Sequence, residues 1–173
     1  MKLACTKAPG RGDTDLILAG LASELAARGI RCCGTVQINT DRCDAGPCDM
    51  DVMVLPDGPV LRISQNLGAG ARGCRLDPES LEVAVGQAAT RLDADTQLLI
   101  VNKFGKLEAE GRGFRDVIAE ALAMDIPVLV GLNTLNQAAF DAFAGGLATE
   151  LPPEKDALAG WVNGALRTAA EAA

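Results

Sequence analysis

The chain has 173 residues, of which 49% are hydrophobic, so it is long enough for one filled core and short for two. We therefore expect a single domain over residues 1–173. Its 23 acidic and 16 basic residues give a net charge of −7, and its aromatic residues are four Phe and one Trp. Nucleic-acid binding depends on excess Lys and Arg and on stacking aromatics, so this composition argues against it. The absence of histidine excludes a histidine-based catalytic triad or zinc site.

The first half of the chain predicts strands around one long helix. Residues 2–6 form a candidate strand that leads into a loop rich in Gly and Pro. A helix is expected from Thr14 to Gly29. Its apolar residues recur at helical spacing and are Leu16, Leu18, Leu21, Ala22 and Leu25. Residues 31–38 predict a second strand, and residues 49–65 predict a β-hairpin around the turn Pro56-Asp57-Gly58.

The second half predicts alternating helices and strands. A capping Asp77 followed by Pro78 marks the start of a helix that runs to about residue 92. Further helices are expected at residues 113–124, 135–144 and 154–171. Short apolar runs predict strands at residues 97–102, 126–131 and 148–151. This alternation is typical of an α/β fold whose sheet is mainly parallel, here with the β-hairpin inserted.

The loop TKAPGRGDTD, residues 6–15, partly matches the phosphate-binding pattern G-x-x-x-x-G-K-[ST]. Gly12 and Thr14 are in register with that pattern. Lys7 stands at the position of the first glycine, and Asp13 stands at the position of the lysine that grips phosphate. The loop is therefore a degenerate P-loop, or Walker A motif, in which the charge at one position is reversed.

The context of this loop favours an anion site. A strand, a glycine-bearing loop and a helix start together present backbone N–H groups to an anion. Gly10 and Gly12 supply backbone freedom, and Lys7 and Arg11 are nearby cations. A tight turn that binds nothing is the alternative interpretation.

A second motif carries a resemblance to a known class of proteins. The stretch NKFGKLE, residues 102–108, resembles the D-E-x-G-K-x-E motif of small P-loop nucleoside-triphosphatases. The segments APGRGDTD, RISQNLGAGARGCRLD, VNKFGKLEAEGRGF and FAGGLA are more closely similar to an uncharacterised bacterial family encoded beside molybdate-transport genes. The resemblance implies a three-layer P-loop nucleoside-triphosphatase-like fold over nearly the whole chain.

The departures from that class concern the residues that perform its chemistry. Asp13 replaces the loop lysine, Asn102 replaces the aspartate linked to Mg²⁺, and Lys103 replaces the catalytic glutamate of the second, Walker B motif. Ordinary hydrolysis of Mg-bound nucleoside triphosphate is therefore not expected. Because the two charge changes are reciprocal, we hypothesise that Asp13 and Lys103 form an ion pair. Lys106 is a further cation beside them.

Other charged segments allow more than one interpretation. Arg72 and Arg75 lie in a glycine-rich segment that would suit an oxyanion, although a crossover with solvated arginines needs no ligand. Arg112 would reach a ligand on a neighbouring subunit or simply lie at a solvated helix start. Cys43 and Cys48 lie among aspartates, but C-x₄-C is not standard zinc spacing, so we predict no metal site. The remaining strand cysteines and Trp161 are expected to pack in the core.

We interpret the chain as a protein that binds an anionic ligand, a nucleotide or a tetrahedral oxyanion related to molybdate, in a regulatory or carrier role. One alternative is a noncanonical nucleoside-triphosphatase or phosphotransferase that uses Glu108 or Glu110. Another is a vestigial P-loop that acts as a protein-interaction module. No cofactor is assigned, and a homo-oligomer is compatible with this interpretation. The sequence contains no apolar run of membrane-spanning length and no recognisable secretory signal, so we expect a cytoplasmic protein whose cysteines are thiols.

Overall fold

The computed structural model describes residues 2–40, 49–65 and 75–172. Within these ranges it contains seven strands, which are β1 (Leu3–Thr6), β2 (Cys32–Thr40), β3 (Asp49–Leu55), β4 (Val60–Arg62), β5 (Leu98–Val101), β6 (Val128–Gly131) and β7 (Thr149–Leu151). The α-helices in the same ranges are α1 (Asp13–Ala27), α2 (Pro78–Ala89), α3 (Lys106–Ala109), α4 (Arg115–Ala123), α5 (Gln137–Ala144) and α6 (Lys155–Ala172). A 3₁₀ turn at Thr134–Asn136 precedes α5.

All seven strands belong to one sheet in the order β4-β3-β2-β5-β6-β1-β7. The pairs β2–β5, β5–β6, β6–β1 and β1–β7 are parallel, whereas β3 pairs antiparallel with both β2 and β4. The predicted mainly parallel sheet with an inserted hairpin is therefore confirmed. Because the carboxyl ends of parallel strands meet at one edge, the segments that follow β1, β5 and β6 lie together, with β6 between the two motif-bearing strands.

Helices cover both faces of the sheet and make three layers. Helices α1 and α6 pack against one face, where Leu18, Leu25, Leu158 and Val162 are buried. Helices α2, α4 and α5 pack against the other face. Strand β5 is buried along its whole length because it has helices on both sides. This arrangement confirms the three-layer fold predicted from the sequence.

The start of α2 shows how local sequence sets an element boundary. The Asp77 side chain accepts hydrogen bonds from the backbone N–H groups of Glu79 and Ser80, and Pro78 occupies the first helical position. The Ser80 hydroxyl also donates to Asp77, and this hydrogen bond is the main cause that lowers the pKa of Asp77. The helix start predicted at this point is confirmed.

Two sequence expectations about helices need correction. The sequence pattern predicts Leu16 on the buried stripe of α1, but Leu16 is 69% exposed, whereas Thr14 and Asp15 are buried on that helix. The four-residue helix α3 was not predicted, and it lies inside the second motif. Among the described residues, no helix combines the length and apolar character needed to cross a bilayer.

Candidate functional site

The loop after β1 closes on the first turn of α1. The backbone N–H of Ala8 donates to the hydroxyl of Thr14 at 2.9 Å, which ties the beginning of the loop to the helix. Gly12 caps the helix with φ 87°, a left-handed conformation that favours glycine. The backbone N–H of Asp13 also lies 3.4 Å from the carbonyl oxygen of Gly10. The loop thus has a compact turn at the N-terminus of a 15-residue helix.

The Asp13 carboxylate lies against the loop backbone at Gly10. A side chain at position 10 would overlap Oδ2 of Asp13, and its Cβ would lie 2.7 Å from Cγ of that carboxylate. Asp13 and Asp15 both carry negative charge in the first turn of α1. Such charges stabilise a helix N-terminus, but they also offset the positive end of the helix dipole that an external anion would use.

Lys103 pairs with Asp15, so the hypothesis that it pairs with Asp13 is wrong. Its Nζ lies 3.6 Å from Oδ1 of Asp15, whose side chain is 4% exposed. The same oxygen accepts a hydrogen bond from Nδ2 of Asn102 at 2.9 Å. A buried carboxylate is costly unless it is paired and hydrogen-bonded, and these two residues after β5 provide both interactions.

The orientation of Asn102 is fixed from both ends of its amide. Its Oδ1 accepts the backbone N–H of Gln37 in β2 at 2.9 Å, while its Nδ2 donates to Asp15. Asn102 is 4% exposed. It therefore connects β2, β5 and α1, and its amide is already used by these contacts.

Mg²⁺, which the fold class implies, does not fit these residues. Magnesium in proteins is held by carboxylate, phosphate and water oxygens. At this edge the aspartate of the second motif is Asn102, and the Asp15 carboxylate already has the ammonium of Lys103 beside it. The hydroxyl of Thr14 accepts the N–H of Ala8. The residue types and their contacts do not make a divalent-metal site.

The other candidate cations have different surroundings. Lys7 is half-buried, and its ammonium donates to Oε1 of Gln137 at the start of α5 at 3.1 Å. Arg11 is exposed at the tip of the loop. Lys106 is 83% exposed and lies 3.6 Å from Glu110. Arg72 is outside the described residues.

Arg75 lies in an ion-pair network at the start of β3. Its Nη2 is 3.3 Å from Asp49, which also lies 2.7 Å from Arg62. Arg62 in turn bonds Asp51 in the neighbouring strand at 3.0 Å, and this bond is the main cause that raises the pKa of Arg62. A ligand at Arg75 would have to compete with Asp49 for the guanidinium group.

Glu108, a candidate catalytic base in the enzyme alternative, has both carboxylate oxygens bound to the backbone. It accepts the N–H of Gly105 at 2.8 Å and the N–H of Phe114 at 3.0 Å. Glu108 is 1% exposed. Its carboxylate therefore holds together the segment from Gly105 to Phe114, whereas Glu110 is exposed and pairs with Lys106 and Arg112.

The strand cysteines are buried core residues. Burial is the main cause that raises the pKa of Cys5 to about 11, of Cys32 to about 12 and of Cys33 to about 11. Trp161 on α6 is partly buried and packs against the core cluster beneath α1, as expected. Cys43 and Cys48 lie outside the described residues, so the prediction of no metal there stays a prediction.

The strand, the loop, the helix start and the second motif on a strand one place removed define the P-loop nucleoside-triphosphatase-like class of folds. The chain belongs to the family described as "Protein of unknown function (DUF2478)", which matches residues 3–161. The resemblance stated from the sequence is thereby confirmed. This chain departs from the P-loop motif at Asp13 and from the second motif at Asn102 and Lys103.

Two similar proteins extend this assignment. The "Molybdenum import ATP-binding protein ModC 2" of Bradyrhizobium diazoefficiens is 37% identical over 149 residues, which are 86% of this chain and 17% of that protein. The chain therefore corresponds to a small part of that relative. The solution structure of a human cancer-related nucleoside triphosphatase has 18% sequence identity, a TM-score of 0.61 and 87% coverage of both chains. This likeness shows the fold.

Proposed function

We propose that the chain binds an anionic ligand, a nucleotide or a tetrahedral oxyanion, at its degenerate P-loop and acts in a regulatory or carrier role. The observation that carries this proposal is the pairing of Lys103 with the buried Asp15. This pair neutralises one of the two carboxylates near the loop. Lys7 and Arg11 then oppose Asp13 alone, so the loop keeps an excess of positive charge.

The loop backbone supports the same proposal. The hydrogen bond from Ala8 to Thr14 and the left-handed Gly12 give a compact turn at a helix N-terminus. A turn of this kind before a helix is the type of backbone that presents N–H groups to an anion. Lys7 is held by a neutral partner, Gln137, so its charge is not cancelled by that contact. An anion at the loop would have two cations within the same short segment.

Ligand binding is favoured over hydrolysis because the residues that would catalyse hydrolysis are either replaced or already hydrogen-bonded to the backbone. The loop lysine is replaced by Asp13, and both oxygens of Glu108 accept backbone hydrogen bonds. We therefore expect ATP and GTP turnover in Mg²⁺ to be far below about 1 s⁻¹, the lower end of typical enzyme rates. Faster turnover that disappears in Asp13→Ala would instead support the nucleoside-triphosphatase or phosphotransferase alternative.

One observation favours a second candidate, a vestigial loop in a protein-interaction module. The Asp13 carboxylate packs on Gly10, where it adds negative charge to the loop itself. Two like charges about 4 Å apart repel by roughly 4 kcal/mol at an effective dielectric constant near 20. If Lys7 and Arg11 did not overcome this repulsion, the loop would reject anions.

Isothermal titration calorimetry with inorganic phosphate, molybdate and ADP would distinguish the two candidates. Molybdate is included because the name of the Bradyrhizobium relative refers to molybdenum import. Binding of at least one probe is expected, and Asp13→Ala should strengthen it at least about tenfold, which corresponds to about 1.4 kcal/mol.

Arg11→Ala should weaken binding, whereas Arg28→Ala should leave it unchanged. Arg28 is an exposed arginine at the far end of α1, where it contacts Glu24 and Asn163, so it is a matched control for lost charge. Absence of binding for all three probes in both the native protein and Asp13→Ala would contradict the proposal and favour the vestigial module.

A further inference from the structure

We propose that Lys103 takes the place of a divalent cation at this site, because its ammonium compensates the buried Asp15 and donates a hydrogen bond to the ligand, so that the ligand binds as a free oxyanion and not as a metal complex. This inference rests on the proposed anion-binding function and specifies the form in which the anion enters. It follows from the disagreement between the residues at this edge of the sheet and the Mg²⁺ that the fold class implies.

The position of Lys103 provides the first argument. Its side chain is 41% exposed while its partner Asp15 is 4% exposed, so the ammonium lies between a buried carboxylate and solvent. A lysine ammonium has three donors and no acceptor. The contact with Asp15, at 3.6 Å, leaves donors for an oxyanion on the solvent side.

The contacts of Asp15 provide the second argument. Its Oδ1 already receives the amide of Asn102 and the ammonium of Lys103. A divalent cation on this oxygen would be placed beside a positive charge and would displace a hydrogen bond from a buried amide. The negative charge that would attract a metal is thus already compensated by a residue of the chain.

The ligand class follows from the available charges. Without a divalent cation, the anion must be neutralised by single positive charges and backbone N–H groups. This suits a compact tetrahedral oxyanion, either free or as the terminal phosphoryl group of a nucleotide. Both sources share the same oxygen geometry, and phosphate, molybdate and ADP are the probes that separate them.

The first test compares the binding of these probes in EDTA with their binding in Mg²⁺. The native protein is expected to bind phosphate or molybdate with dissociation constants that agree within about twofold between the two buffers, and to bind ADP less tightly in Mg²⁺, which complexes the free nucleotide. Lys103→Met should weaken that binding at least about tenfold. Native binding that requires Mg²⁺ would overturn the inference while the proposed anion-binding function would stand.

A second test does not depend on any anion. In Lys103→Met the buried Asp15 carboxylate loses its cation, so this variant should melt several degrees below the native protein, whereas Mg²⁺ should leave the melting temperature of the native protein unchanged. Lys155→Met is a matched control. Lys155 is 48% exposed and pairs at 2.8 Å with Glu24, which is itself 37% exposed, so its loss uncovers no buried charge.

The outcomes separate the two proposals. Failure of every probe to bind in both buffers contradicts the proposed function, and the melting test then still decides whether Lys103 replaces a metal. A native melting temperature that rises by several degrees with Mg²⁺ overturns the inference. If Lys103→Met does not fold, the native protein decides the question through its response to Mg²⁺ in both tests.

Discussion

The carboxylate of Glu108 accepts a hydrogen bond from the backbone N–H of Phe114 at 3.0 Å, across the turn between α3 and α4. Its other oxygen accepts the N–H of Gly105 at 2.8 Å, so one side chain connects the middle of the second motif to the residue that precedes α4. Phe114 itself is buried, and Arg115 donates to the carbonyl oxygen of Glu108. The last residue of the motif therefore fixes the backbone that follows Asn102 and Lys103.

Glu108→Ala is predicted to lower the free energy of unfolding by about 2–4 kcal/mol, because it leaves two backbone N–H groups without their acceptor in a buried segment. Glu108→Gln should have a smaller effect, because its amide keeps one acceptor but turns an NH₂ group towards the other N–H. Urea denaturation followed by circular dichroism would measure both changes. Glu110→Ala is the matched control and should change stability by less than about 0.5 kcal/mol, since Glu110 is exposed.

An effect of Glu108→Ala no larger than that of Glu110→Ala would contradict the structural role of this carboxylate. Loss of a nucleotide-hydrolysing activity in Glu108→Gln without loss of stability would support the enzyme alternative. The two measurements therefore show whether the Glu108 carboxylate stabilises the backbone or acts as a catalytic base.

The layers of the fold were predictable because they depend on local patterns. Alternating apolar strands and amphipathic helices indicated a parallel sheet, and the sequence Asp77-Pro78 indicated the start of α2. The turn at Pro56-Asp57-Gly58 indicated the β3–β4 hairpin. The short helix α3 has only four residues and therefore no periodic signal that could reveal it.

The partner of Lys103 was not predicted because it depends on the rotation of α1 against the sheet. The P-loop pattern directed attention to Asp13, but the buried face of α1 contains Asp15, Leu18, Ala22 and Leu25. This spacing is itself helical, so an acidic residue on a buried stripe was a signal in the sequence. The apolar Leu16 beside Asp15 hides that signal, because it extends the apolar stripe by one residue that is in fact exposed.

The contacts of Arg75 with Asp49 and of Lys7 with Gln137 join residues 26 and 130 positions apart. Neither pair lies in one local motif, and no spacing rule connects them. The sequence could therefore name these cations as candidates for an anion site, but it could not show which partners hold them.

The buried cysteines are predicted to be unreactive in the native protein. A pKa of about 11 for Cys5 and Cys33 and about 12 for Cys32, in place of 9.0, lowers the thiolate fraction at neutral pH about a hundredfold or more. Because the thiolate is the nucleophile, alkylation by iodoacetamide should be correspondingly slow. As long as the pH stays below the pKa, the rate of alkylation should increase about tenfold for each unit by which the pH is raised.

Mass spectrometry of the tryptic peptides 3–7 and 32–42 after labelling at about pH 8 would measure this reactivity. The same peptides should be labelled fully when the protein is unfolded in urea before iodoacetamide is added. Labelling of Cys32 in the native protein at the rate of a free thiol would contradict its placement in the core beneath α1.

Gly131, the last residue of β6, lies where the backbones of β5 and β6 approach each other. A methyl group at this position would overlap the carbonyl oxygen of Asn102 and lie 2.9 Å from Cδ1 of Leu18. A backbone carbonyl cannot rotate away as a side chain does, so Gly131→Ala must separate the ends of the two strands. We predict that this substitution lowers the free energy of unfolding by about 1–3 kcal/mol, the usual range for overpacking.

The same substitution should weaken anion binding, because displacement of Asn102 disturbs its bond to Asp15 and the position of Lys103 beside it. Gly20→Ala in α1 is the matched control, since a methyl group there meets nothing within 4 Å. It should raise stability by about 0.4–1 kcal/mol through the unfolded chain and leave binding unchanged. Denaturant titration and calorimetry on both variants would measure the two effects. A Gly131→Ala protein with native stability and native affinity would show that the close approach of β5 and β6 does not position the site.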